Sequence, residues 1–219
     1  ISFGYNYLMD EFKHDNLPQN LDLEDFSQNG SASGKKKKTA AVLTAIGLSV
    51  LVAVIIAIIV IAVVCDTFVV DGSSMYPTLY GGKDNVYTDG DKVVVNKYKT
   101  PDVGDIVVVH PKGQSTMIKR VVAVAGDTVK VVGGVLYVNG AKADTSYLSD
   151  KNKLMYASYP DTLLDMAEFT VKQGHIWVLG DNRLVSHDSR DPKIGQVSLD
   201  EVLGTVFLII TEDKKLNWI

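Results

Sequence analysis

Lys35–Cys65 reads KKKKTAAVLTAIGLSVLVAVIIAIIVIAVVC: four lysines, then an uncharged run from Thr39 to Cys65 made of Ala, Val, Ile and Leu with a few Thr, Ser and Gly. About 27 residues at ~1.5 Å rise give a helix of about 40 Å, longer than the ~30 Å hydrocarbon core of a bilayer. The alternative, a buried core helix of a soluble domain, does not suit uniform apolarity over such a length with no polar face. A cleavable signal peptide has an apolar core of about 7–15 residues ending at an A-x-A-like site. This run is longer, and no such site precedes Asp66. The segment therefore reads as a retained transmembrane helix over residues 39–65.

Towards the amino terminus, Ile1–Gly34 carries Asp10, Glu11, Asp15, Asp22, Glu24 and Asp25 against Lys13 alone, with Gly, Ser and Asn gathering near its end. High net charge and few branched apolar residues predict a disordered tail, residues 1–38 once the lysine block is included. Its aromatics (Phe3, Tyr5, Tyr7, Phe12, Phe26) are compatible with a short partner-binding motif. The chain opens on Ile1 rather than Met, which leaves room for an earlier start. After the helix come Asp66 and Asp71, with no Lys or Arg before Lys83. The positive-inside rule then predicts a cell-membrane protein with a single pass, its amino terminus cytoplasmic and everything after Cys65 extracytoplasmic.

Beyond the helix, residues 66–219 hold short runs punctuated by turn residues: TFVV, KVVVNK, DIVVVH, IKRVVAVA, DTVKVV, GVLYVNG, HIWVLGD and GTVFLII. Val-, Ile- and Tyr-rich runs bounded by Gly and Asp predict strands, so this region is expected to be mainly β. Gly133-Gly134 and Asn139-Gly140 flank one run in hairpin fashion. The polar stretch Ala141–Glu168, with a weak helical pattern over Asp161–Glu168, looks like part of a smaller inserted region at about 133–170. The last run, Val206–Ile210, is too short to cross a bilayer.

The chain averages hide these differences. The 219 residues have a net charge of −4 and are 46% hydrophobic. That charge combines about −5 in the tail, about +4 in the lysine block and about −3 after the helix. The acidic balance argues against nucleic acid as a partner. A single cysteine allows no intrachain disulfide, and no Cys/His cluster is present to hold a metal. Cys65, at the end of the apolar run, has no apparent base beside it and reads as a small apolar residue.

For chemistry, Val69-Val70-Asp71-Gly72-Ser73-Ser74-Met75-Tyr76-Pro77-Thr78-Leu79 runs a strand into a Gly-containing turn. Such a turn can expose a hydroxyl and a backbone N–H together, as a nucleophile with an oxyanion site requires. A serine nucleophile needs a base, and His110, His175, His187 and Lys119 are candidates. In Thr116–Val124, alternation sends Lys119 and Val121 to one face and Ile118, Arg120 and Val122 to the other. An exposed strand lysine is the plain alternative.

The segments VDGSSMYPTL, GDIVVV, IKRVVAVAGD and GDNRLVSHDSR, in this order after an amino-terminal anchor, resemble the boxes of bacterial type I signal peptidases, the membrane-bound Ser/Lys leader peptidases. The Asp-Gly-x-Ser-Met form resembles the Gram-positive branch. The resemblance runs from the anchor to about Arg190. It implies that Ser74 is the nucleophile, with Ser73 in a variable place, and that Lys119 is the general base. It further implies that Ser186 orients the lysine, that Asp188 and Arg190 buttress the site, and that Asp181 faces Arg120. Val70 and Ile118 fall where the family lines shallow pockets for small substrate side chains. Some members place at Gly72 a serine whose hydroxyl helps bind the oxyanion. Here the hole is left to backbone N–H groups, chiefly that of Ser74. His187 lies between matched positions without matching one, and reads as a surface side chain.

The implied chemistry sets a physical demand. A free lysine has a pKa near ~10.4, so only about one in a thousand is neutral at pH 7. Burial beside Ile118, Val121 and Met117 is a way to lower it. Neutral Lys119 would then take the Ser74 proton and later activate the deacylating water. The resemblance implies a serine endopeptidase that removes signal peptides after a small-x-small motif. It needs no cofactor or metal, and its partners are the lipid bilayer and secretory preproteins delivered by the export machinery. A catalytically idle membrane-anchored β interaction module is the alternative. A repressor-type Ser/Lys autoprotease is disfavoured by the lack of a DNA-binding helix pair, and a histidine-dependent signal peptidase by Lys119-Arg120.

Overall fold

The structure, a computed structural model, describes residues 32–82, 90–133, 135–146, 148 and 165–219. The chain divides into two units after Ile55. Helix α1 (Ala32–Val64) begins earlier than the apolar run and takes in Lys35–Lys38. Lysine is a good helix former and a helix extends cheaply once nucleated, so the basic block joins the helix instead of the expected tail. The tail expected over residues 1–31 lies outside the described residues. The helix also stops one residue sooner than expected, because Cys65 opens a strand. Its apolar side chains, among them Leu43, Ile46, Ile55 and Ile61, are exposed.

Twelve strands follow among the described residues. They are β1 (Cys65–Val69), β2 (Lys92–Asn96), β3 (Ile106–Val109), β4 (Met117–Val124), β5 (Thr128–Val132), β6 (Val135–Val138), β7 (Ala141–Lys142), β8 (Met166–Thr170), β9 (His175–Leu179), β10 (Val197–Ser198), β11 (Val202–Ile210) and β12 (Leu216–Trp218). The main sheet runs β1-β2-β11-β3-β4-β9-β10, with β12 added to β11, and a smaller sheet runs β7-β6-β5-β8. All pairings are antiparallel. The register of β11 shifts once against β2 and once against β3, and that of β4 shifts against β9 between Val121 and Ala123. Such irregularities bend the strands and curl the sheet. Asn139 (φ 52°) and Gly140 (φ 76°) form the two-residue link between β6 and β7. Both sit in the left-handed region that a twisted hairpin of this length demands.

The expected insertion is thus a second sheet sharing β5 with the chain before it. The helical pattern over Asp161–Glu168 is not borne out at its described end, where Glu168 lies in β8. Residues 161–164 lie outside the described set. Pairing of β8 with β5 overrides the helix-forming Met, Ala and Glu of MAEFT.

Alternation along the strands splits the core in three. On one face of the main sheet, Val93, Val95, Ile106, Val108, Val206 and Ile209 pack with Val70, Met75 and Leu79. Across it, Val107, Val109, Val121, Ile176 and Val178 meet Ile194 and Val197. Val122, Ala123, Trp177 and Leu179 join the small sheet through Val129, Val131 and Leu136, with Phe169 tilted against Trp177 at 4.7 Å between ring centroids.

Candidate active site

Ser74 lies in the loop leaving β1. Its neighbour Met75 and, four residues on, Leu79 are fully buried in the core, while Ser73 is exposed and Ser74 half-buried. Two apolar side chains thus pin the loop to the sheet, each worth about 1.5–3 kcal/mol of burial. Within the loop, Tyr76 N–H donates to Ser73 O at 3.1 Å and Leu79 N–H to Met75 O at 3.0 Å. Gly72 has φ +77°, so the position before the two serines favours glycine and supplies no hydroxyl. Among the described residues no acceptor takes the Ser74 N–H.

Lys119 and Arg120 are consecutive on β4, and both are buried, at 3% and 9% exposure. Lys119 Nζ donates to Ser74 Oγ at 2.9 Å and to Ile118 O at 2.9 Å. Burial away from water lowers its pKa to about 8, against a smaller upward pull from the Asp188 carboxylate. Arg120, pointing to the other face, makes two bonds to Asp181, Nε–Oδ1 at 2.9 Å and Nη2–Oδ2 at 2.7 Å, and a third to Gly104 O at 2.7 Å. Asp181 is fully buried and also accepts from Thr78 Oγ1 at 2.6 Å, so this ion pair ties the far end of the Ser74 loop to β4.

The segment after β9 closes the site. Asp188 is buried, and burial alone would raise its pKa. Arg190, which bonds it through Nε at 2.8 Å and Nη2 at 2.9 Å, outweighs that with help from the Gly180 N–H and the Ser186 hydroxyl. Its carboxyl is held below the usual range. Ser189 Oγ accepts the Val178 N–H at 3.0 Å and fixes this segment to β9.

A family model described as signal peptidase, peptidase S26, matches residues 43–211. The chain belongs to this family. Signal peptidase I T of Bacillus subtilis (strain 168) is 34% identical over 177 residues, covering 78% of this chain and 86% of that protein. Signal peptidase I of Bacillus caldolyticus is 38% identical over 152 residues, covering 65% and 78%. A crystal structure of a signal peptidase I from Enterococcus faecalis V583 matches with TM-score 0.42 and 30% identity, over 49% of this chain and 97% of that one. The chain is thus a serine peptidase of the signal peptidase I type, and its family relation supports signal peptide cleavage.

Within this family member, the structure brings together Ser74 with Lys119, Arg120 with Asp181, and Asp188 with Arg190. No hydrogen bond joins Ser186 to Lys119 among the described residues. The Ser186 Oγ is buried beside Asp188 and has no partner at full hydrogen-bond geometry among the described residues. Val70 is buried in the core at 2% exposure, so it is no open pocket wall, whereas Ile118 is half-buried at the core margin. His187 is exposed and pairs with Asp191 at 3.3 Å. Cys65 is a free, half-buried thiol. Among the described residues no His, Cys, Asp and Glu group has the arrangement of a metal site.

Sequence reading missed Asn182 and Gly180. Asn182 holds the Ser74 loop twice: its N–H donates to Ser74 O at 2.9 Å and its Nδ2 to Ser73 O at 3.0 Å. A Cβ at Gly180 would collide with Ser74 O and with Ser186 Oγ, so only glycine lets the two segments close. Both residues stand in the GDNR run, whose Gly-Asp-Asn turn was the local signal.

Proposed function

We propose that this chain is a membrane-anchored endopeptidase in which Ser74 is the nucleophile and Lys119 the general base. The observation that carries this reading is the 2.9 Å contact between Ser74 Oγ and a lysine amine buried to 3% exposure. A pKa of about 8 leaves roughly a tenth of Lys119 neutral at pH 7. Neutral Nζ accepts the Ser74 proton as Oγ attacks the scissile carbonyl. The tetrahedral oxyanion is met by the Ser74 N–H, and collapse expels the amine of the mature protein, which takes the proton held by Lys119, and leaves an acyl-enzyme. Lys119 then draws a proton from water, and hydrolysis frees the signal peptide and restores Ser74. Substrate covering the dyad excludes water and favours the neutral amine further.

Helix α1 contains a stretch, Lys38–Val64, long and apolar enough to span a bilayer. With Lys35–Lys38 held on the cytoplasmic side, β1 and the dyad face the trans side, where a signal peptide cleavage site emerges. Small side chains at that site, in a small-x-small pattern, suit a shallow pocket beside the half-buried Ile118. Secretory preproteins handed over by the export machinery are the substrates in this reading. The test is incubation of detergent-solubilised protein with a preprotein, followed by sequencing of the new amino terminus. Cleavage after a small-x-small motif, abolished by Ser74→Ala and by Lys119→Ala in folded protein, is expected. Intact preprotein with the parent enzyme would instead favour an idle β module, and normal cleavage by Lys119→Ala would end the dyad assignment.

A further inference from the structure

The loop that carries Ser74 leaves the sheet at Val70 and returns at Tyr80, and one residue grips both ends. Asp91 O accepts the Val70 N–H at 2.8 Å, and Asp91 N–H donates to Tyr80 O at 2.8 Å. The Asp91 side chain, in a residue only 5% exposed, accepts the Tyr80 N–H through Oδ2 at 2.8 Å and the Glu212 N–H through Oδ1 at 3.1 Å. No Lys or Arg forms an ion pair with it among the described residues. A buried carboxylate answered, among the described residues, by backbone N–H groups alone is costly for mere packing. The neck is also too narrow for side chains: a Cβ at Gly81 would collide with the Gly72 backbone, and one at Gly90 with Val70 O.

We propose that Asp91 is a positioning residue for the Ser74–Lys119 reaction, clasping the two ends of the nucleophile loop so that Ser74 Oγ stays within reach of Lys119 Nζ. The inference rests on the proposed dyad. Asn182 and Asp181 fix the tip and the far side of the loop, and Asp91 fixes its base. A loop held at the tip alone can still swing about Val70 and Tyr80. Small displacements of a nucleophile from its base cost rate well before they cost substrate affinity.

The test uses the full-length enzyme in detergent with a preprotein substrate, comparing parent, Ser74→Ala, Asp91→Asn and Gly81→Ala. Asn keeps one carbonyl acceptor but turns an N–H towards the Tyr80 or Glu212 N–H. Asp91→Asn and Gly81→Ala are each expected to lower kcat about 10-fold or more while KM moves less than about 2-fold. The pH at which kcat/KM reaches half its plateau should stay where the parent has it, since Lys119 remains buried. A purely structural role would lower Tm and leave kcat per folded molecule unchanged, and that result overturns the proposal. Cleavage by Ser74→Ala would instead defeat the dyad reading itself, so the two failures are distinguishable. If neither neck variant folds, amide hydrogen exchange of the parent decides. Protection of the Tyr80 N–H to the level of Val93 in the core supports the clasp, and exchange about 100-fold faster there overturns it.

Discussion

Lys119 and Arg120 are adjacent on one strand, both withdrawn from water, and chemically opposite in what the fold gives them. Arg120 has a buried carboxylate in two-pronged contact and a carbonyl besides. Its charge is matched and permanent. Lys119 has a hydroxyl and a carbonyl, and no carboxylate within ion-pair distance among the described residues. The nearest acidic influence, Asp188, is already engaged by Arg190. Burial without a counter-charge lowers the lysine's pKa and suits it to the proposed role of base, whereas burial with one suits the arginine to the role of a strut. The strand pleat, which turns consecutive side chains to opposite faces, is what allows both within 3.8 Å of backbone, the ~3.8 Å step between neighbouring Cα atoms.

Four substitutions probe this contrast. The largest effect is expected from Lys119→Ala, which should slow preprotein cleavage by about 10³-fold or more while far-UV circular dichroism shows the β fold retained. Asp181→Ala should act on stability, leaving Arg120 buried and uncompensated at a cost of about 3–5 kcal/mol, read as a Tm lower by about 6–20 °C. If its Tm matched that of the parent, the strut role of Arg120 would be wrong.

Lys119→Met should do the reverse. The folded pKa of about 8 lies below the unfolded value of 10.5, so below pH 8 the unfolded chain holds the proton more readily and the parent is penalised. Removing the amine should therefore raise stability at pH 7 by up to about 3 kcal/mol, an advantage that fades as pH climbs from 8 to 10.5. Denaturant titrations at pH 7 and pH 10.5 measure it. The smallest effect is expected from Arg190→Ala, which frees Asp188 to attract a proton onto Lys119. The acid limb of the pH–rate profile should move to higher pH, and a downward move would contradict the assigned electrostatics.

The strands were legible in the sequence where Val and Ile crowd together, as in KVVVNK and DIVVVH, because β-branched runs bounded by Gly and Asp have few other uses. MAEFT was not legible, since its strand state comes from pairing with β5, nor was the start of α1 inside the lysine block. Ser74 and Lys119 stood out through the order of the boxes around them. The residues that hold them did not. Thr78 reaches Asp181 across 103 positions and Asn182 reaches Ser73 across 109, and contacts at such separation leave no local pattern to read. Ser186 shows the converse: its place in a box implied that it orients the lysine, and its hydroxyl, beside Asp188, makes no hydrogen bond to Lys119 among the described residues.

The most direct test of the central claim is the pH dependence of kcat/KM for preprotein cleavage by the full-length enzyme, which reports ionisation in the free enzyme. A single acid limb with an apparent pKa of about 8, activity rising as Lys119 loses its proton, is the expected result. A limb near ~6.5, as a histidine base would give, or one near the ~10.4 of an exposed lysine would contradict it.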